Sequence, residues 1–185
     1  MKEVRIHGRG GQGSLVLAQF MAIAALEDDK FGLAFPFLGG GGERRGKPIM
    51  AFCRLDDKPV RLRCRSYQHD YVIVQDPTIV AEVDVAEGVK PGGTVLINTD
   101  QDPTELGLES ADYTTLCISA DDLARRILGR PIINTVLLGA FAGLTGDLSL
   151  EACLNAVQSK FPGELGQKNA QVVRESYAML KEGGL

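Results

Sequence analysis

Clustered cysteine is missing from this chain. Cys53, Cys64, Cys117 and Cys153 include no C-x-x-C pair, whereas iron–sulfur clusters and structural zinc need grouped thiolates. The four thiols are therefore expected to be reduced and buried, in a reducing compartment. Histidine is as scarce. His7 and His69 stand far apart, with no cysteine or carboxylate pattern around them to suggest a metal, so any redox metal centre is expected on another chain. No apolar run reaches the roughly 18–20 residues of a membrane span, and "MKEVRIHG" reads as the start of a strand and not as a signal peptide. A cytoplasmic protein without membrane contact is expected. Positive charge is not in excess either. Twenty Lys and Arg against 24 Asp and Glu give a net charge of −4, which argues against general nucleic-acid binding. The familiar catalytic patterns are absent too. There is no G-x-S-x-G, no H-E-x-x-H, no informative Cys–His pair, and no G-K-S or G-K-T of a Walker loop.

What is there suits a soluble α/β fold. The 185 residues are 44% apolar and 24% charged, enough for one domain over residues 1–185 with a full core. Val4–His7 reads as a first strand, and residues 12–27, apolar almost all round, as a buried helix. "FGLAFPF" (31–37) is followed by a glycine-rich break at 38–48. "IMAFCRL" (49–55) and "VRLRCR" (60–65), joined by the turn chemistry of Asp56–Pro59, are expected to form a β-hairpin. Its second arm would put Arg61, Arg63 and Arg65 on one face, as a polar surface or a contact for an acidic partner.

Residues 70–77 and 92–98 are short apolar runs of the kind found in buried parallel strands. A helical piece is expected around 78–87, and a further strand at 113–119. Ser119 and Asp121 are candidate caps for a helix over 121–129. Asn134 or Thr135 would cap a helix through "VLLGAFAGLTG", and Ser149 a second. A polar helix closes the chain from about 164 to 182. The expected fold is a mostly parallel, Rossmann-like sheet with an inserted hairpin and a helical C-terminal third.

Between the first strand and the first helix stands "HGRGGQG". Gly8, Gly10 and Gly13 match G-x-G-x-x-G, a spacing that lets backbone N–H groups approach a phosphate at a helix N-terminus. A dinucleotide site also wants an acid about 20 residues on, at the end of the second strand. Here that strand ends "AFPFLGG", and Glu27, Asp28 and Asp29 come too early. NAD is disfavoured, and an NADP site with Arg44 and Arg45 on the 2′-phosphate is a further alternative. The glycines could also serve strand–helix packing alone. Arg44 and Arg45, with Lys47 beside them, leave the sheet at the same edge and could reach the same polyanion. They could equally be a solvated or interface loop.

In order along the chain, "IHGRGGQG", "AFPF…GERRGKP", "DDKPVRLR", "YVIVQDP", "VAEGVKPGGTVLIN" and "GRPIINTVLLGAFA" resemble the gamma subunits of 2-oxoacid:ferredoxin oxidoreductases, with the pyruvate type most similar. The resemblance covers essentially the whole chain. It implies a holoenzyme that cleaves a 2-oxoacid with thiamine diphosphate and Mg, passes the acyl group to coenzyme A, and sends electrons through 4Fe-4S clusters to ferredoxin. Those groups would sit on alpha, beta and delta subunits. The gamma subunit would help bind coenzyme A and assemble the complex. The family's "GRGGQG" falls on Gly8, Arg9, Gly10, Gly11, Gln12 and Gly13. Its "ERRG" falls on Glu43–Gly46, where single-chain relatives carry a Lys-Lys-Ser-Gly stretch that approaches coenzyme A. Its "INT" falls on Ile133–Thr135, making Asn134 a cap, a ligand contact, or both. A purely structural subunit, or one serving an aryl 2-oxoacid enzyme, is the alternative.

Overall fold

The computed structural model describes residues 1–37 and 45–183. Strand β1 (Lys2–Arg9) leads into helix α1 (Ser14–Glu27), then β2 (Phe31–Phe37), β3 (Pro48–Asp56) and β4 (His69–Val74). A 3₁₀ turn (Pro77–Ala81) precedes β5 (Val89–Asn98) and β6 (Tyr113–Ile118). Helices α2 (Ala120–Leu128), α3 (Asn134–Thr145), α4 (Leu150–Lys160) and α5 (Gly163–Gly183) complete the chain. The strands form one sheet in the order β2-β3-β1-β4-β5-β6. β1, β4, β5 and β6 run parallel, and β3 is antiparallel to both β1 and β2. This is the expected α/β sheet with an early antiparallel hairpin.

The arms of that hairpin differ from the sequence expectation. β3 pairs with β2 on one edge and with β1 on the other, and a strand has only two edges. Residues 60–65 therefore form no strand. They cross the sheet as irregular chain, with Leu62 and Cys64 exposed rather than buried. The helix expected at 78–87 shortens to the 3₁₀ turn, begun by Asp76, whose side chain accepts from the Thr78 amide.

One face of the sheet packs on helices. Val4 and Ile6 of β1 join Leu17, Met21, Leu137, Phe141 and Val173 in the larger core, and α1 lies between the sheet and α4. Ser149 caps α4 through the Ala152 amide at 3.0 Å, as expected. The cap of α2 is not local. Ser119 holds the N-cap position, but its hydroxyl donates to Asp122, and Asn98 at the end of β5 accepts from the Ala120 and Asp121 amides. Helices α3 and α5 touch closely because Gly139 and Gly143 lie one turn apart. A Cβ on Gly139 would sit 2.4 Å from the Val173 carbonyl, and one on Gly143 2.2 Å from that of Tyr177. Gly139→Ala or Gly143→Ala should each cost about 1–3 kcal/mol by overpacking, read as a lower thermal midpoint of about 2–4 °C per kcal/mol. An unchanged midpoint would show that the helices separate freely.

The other face carries Glu3, Arg5 and His7 from the same strand, all buried. Glu3 accepts from Arg54 Nε at 2.9 and 3.0 Å. The rest of the Arg54 guanidinium donates to the carbonyls of Leu62 and Cys64. Arg5 does likewise to Val85 and Glu87, at 2.8 and 2.6 Å. Two buried cations thus hold two irregular segments over the sheet, satisfying carbonyls that no strand reaches. Between these anchors His7 Nε2 and both His69 ring nitrogens have no partner among the described residues. Burial, reinforced by the Arg5 charge, pushes both histidines down to about 3. They bind fewer protons folded than unfolded, where the pKa is about 6.5. Their stabilising contribution is full above about pH 6.5 and is lost as pH falls toward 3, with a slope of up to about 1.4 kcal/mol per unit for each. Denaturant midpoints should fall between pH 6.5 and 4.5, before the depressed Asp70 and Asp76 carboxyls take up protons. His7→Phe should remove about half of that slope; a flat profile would contradict neutral burial.

Candidate functional site

The chain leaves β1 toward β2 and β3 on one side and returns to β4 on the other. The carboxyl ends of β1 and β4 therefore flank the point where the winding reverses, the usual crevice for a ligand in an open α/β sheet. "HGRGGQG" lies there. The loops after the two strands are tied together: the Gln75 amide donates to the His7 carbonyl at 2.8 Å, and Gln12 Nε2 to Asp76 at 3.0 Å. Gln12 also accepts from the Arg9 amide at 2.7 Å, folding the loop on itself.

The glycines divide by role. On the packed side, a Cβ on Gly8 would stand 2.5 Å from Gln75 Oε1, and one on Gly13 2.7 Å from Asn134 Nδ2. On the other side, Gly11 has φ +102° and, among the described residues, no neighbour within 4 Å of where its Cβ would be. Gly13, at φ 79°, is the N-cap residue of α1, whose first-turn amides have no intrahelical partners. Alongside runs the second basic segment. Gly10 donates to the Lys47 carbonyl at 2.9 Å, Gly46 donates to that of Gly10 at 3.0 Å, and Gly10 bridges Arg45 in parallel. Arg45 and Lys47 are exposed beside the loop. Arg44, with the rest of 38–44, lies outside the described residues.

Arg9 has a full set of partners: Asp76 at 3.1 Å, Glu82 at 2.6 Å, the Thr78 hydroxyl, and the Gly46 carbonyl at 3.1 Å. The hydrogen bond to Glu82, foremost among these contacts, raises its pKa further. Asn134 is the first residue of α3, behind Ile133 at the N-cap. Its side chain caps nothing. It accepts from Gln75 Nε2 at 2.8 Å, while Gln75 Oε1 accepts from Ser14 at 2.5 Å.

Residues 3–179 match the sequence model of the pyruvate ferredoxin/flavodoxin oxidoreductase family. The chain belongs to this family. It is a gamma-type subunit, 50% identical over the full length of both chains to pyruvate synthase subunit PorC of Methanocaldococcus jannaschii. It is 44% identical, over 96% of each chain, to the common gamma subunit of the pyruvate/ketoisovalerate oxidoreductases of Thermococcus litoralis. The crystal structure of pyruvate oxidoreductase subunit PORC from Thermotoga maritima superposes with a TM-score of 0.82 at 34% identity, covering 96% of this chain and 95% of that one. The 2-oxoglutarate:ferredoxin oxidoreductase of Magnetococcus marinus, solved with coenzyme A bound, shares the fold at 20% identity and a TM-score of 0.77; 98% of this chain corresponds to 31% of that one.

Among the described residues of this gamma-type subunit, no three His, Cys, Asp or Glu side chains group as metal ligands. A separate cavity of about 250 Å³ opens on the opposite face, with Arg5, His7 and Arg65 against Asp84 and Glu87. Among the described residues its charges cancel, which does not suit a polyanion. Sequence reasoning missed Ser14, Gln75 and Asp76, the residues that fix the loop. The one available signal was "QDP", polar residues directly after an apolar parallel strand, where the sheet's carboxyl edge must lie. Gln75→Leu should cost about 2–3 kcal/mol, because Ser14 and Asn134 lose a buried partner. Urea unfolding measures it; a loss under about 0.5 kcal/mol would mean that the triad does not hold the loop.

Proposed function

We propose that this gamma-type subunit supplies one wall of the coenzyme A site of a 2-oxoacid:ferredoxin oxidoreductase, the carbon chemistry taking place on other subunits. The observation that carries the reading is the glycine loop at the reversal point of the sheet, with Arg45 bridged onto Gly10. Backbone N–H groups at the α1 N-terminus favour an anion. Arg44 and Arg45 supply guanidinium groups that pair with phosphate oxygens two at a time. Arg9, neutralised by Asp76 and Glu82, is a positioning residue that holds the loop against the 45–47 segment. Gln12 and Asn134 do the same through Asp76 and Gln75.

Coenzyme A supplies the thiol that accepts the acyl group. The complex would convert a 2-oxoacid anion, coenzyme A and two oxidised ferredoxins to acyl-coenzyme A, CO2, two reduced ferredoxins and a proton, with thiamine diphosphate, Mg and 4Fe-4S clusters on alpha, beta and delta subunits. Pyruvate and ketoisovalerate, named for the relatives' enzymes, are the substrate class. The coenzyme A bound in the Magnetococcus marinus enzyme supports the reading at the level of a shared fold.

In the holoenzyme, Arg44→Ala with Arg45→Ala should raise the KM for coenzyme A about tenfold, with decarboxylation of the 2-oxoacid largely spared. An unchanged KM overturns the phosphate role. The internal ion pairs of Arg9 favour a second reading, in which the loop is an assembly element. Loss of the complex in the same double variant, with normal coenzyme A dependence in what remains, supports that one.

A further inference from the structure

The arginines at 61, 63 and 65 serve no part of the site just described. Arg61 and Arg63 are exposed and make no ion pair among the described residues. Between and beside them Leu62 is 60% and Tyr67 71% exposed. Arg65 is better placed: its guanidinium lies over the Phe37 and Tyr67 rings at 5.2 and 5.0 Å, which fixes the strip at one end. An irregular segment with this composition would ordinarily be loose. Here Arg54, itself 3% exposed and held by Glu3, donates to the Leu62 and Cys64 carbonyls. These contacts hold the backbone of residues 62–64 against the sheet, with the flanking Arg61 and Arg63 exposed. A buried ion pair is a costly way to hold a surface loop, and the strip it holds is rich in the residues that dominate binding energy at interfaces, arginine and tyrosine.

We propose that residues 61–67 are a preorganised docking strip for an acidic surface of another subunit in the complex. Arg61 and Arg63, two exposed cations flanking Leu62 on a chain whose net charge is −4, attract carboxylates over any other common protein surface, while Arg65, set against Asp84 and Glu87, anchors the strip. Leu62 and Tyr67, both largely exposed, supply its apolar contact. The strip is independent of the glycine loop, and its test does not rest on the coenzyme A reading.

The experiment is the occupancy of this subunit in the assembled holoenzyme, followed by native mass spectrometry across a NaCl series. The wild-type subunit should be released progressively as salt rises. Arg61→Glu with Arg63→Glu should weaken its retention at low salt at least tenfold, and Arg61→Lys with Arg63→Lys should restore most of it. Full occupancy in the Glu variant with an unchanged salt midpoint overturns the proposal. So does equal loss in the Glu and Lys variants, since charge is then not the cause. A raised KM for coenzyme A at full occupancy overturns it in favour of a ligand contact. Self-association of this chain that the Glu variant abolishes overturns it in favour of a second copy.

Discussion

The amide of Gln75 is the joint on which the site is built. It stands just past β4, almost wholly buried, and meets Ser14 at the start of α1 on one side and Asn134 at the start of α3 on the other. Its backbone amide reaches His7, and its carbonyl accepts from Asn98, which in turn caps α2. One residue thereby ties together the ends of three parallel strands and the N-termini of three helices. The arrangement follows from a simple requirement: where helices begin above a sheet, unpaired amides and polar ends crowd together, and each must find a partner once water is excluded. Gly8 and Gly13 are small because this network leaves no space for a Cβ.

The same economy governs the opposite face. β1 alternates Val4 and Ile6 toward the helices with Glu3, Arg5 and His7 away from them. A face that met only solvent would carry such residues exposed. Instead two irregular segments cover it, and Arg5 and Arg54 satisfy their carbonyls. The two faces of one strand therefore define the molecule's two halves, a helical core that shapes the glycine loop and a cation-anchored cover that carries the arginine strip.

Much of this was legible in the chain. Strand, glycine loop and buried helix were visible at 4–27 because period and composition change abruptly there. β4 and β5 were visible as continuous apolar runs, β6 as a further strand after them, and the cap at Ser149 by its place before Leu150. The family was legible because six motifs recur in one order. The hairpin misread 60–65 because alternation describes a face without naming a partner, and β3 had none to spare. Local rules see only neighbours in sequence and so offer Asn134 as a helix cap as well as a ligand contact; the cap is the part the fold overturns. The partner of Asn134, Gln75, lies 59 residues away.

The sequence by itself determined most of the element types, the family and the presence of a glycine loop between β1 and α1, since these depend on local spacing and on composition. Only the tertiary structure decided which glycines face packing and which do not, that Arg9 is neutralised internally, and that Arg45 reaches the same loop. Each of those depends on contacts between segments tens of residues apart, and such contacts are set by which strand edges are free and which buried polar groups still need a partner.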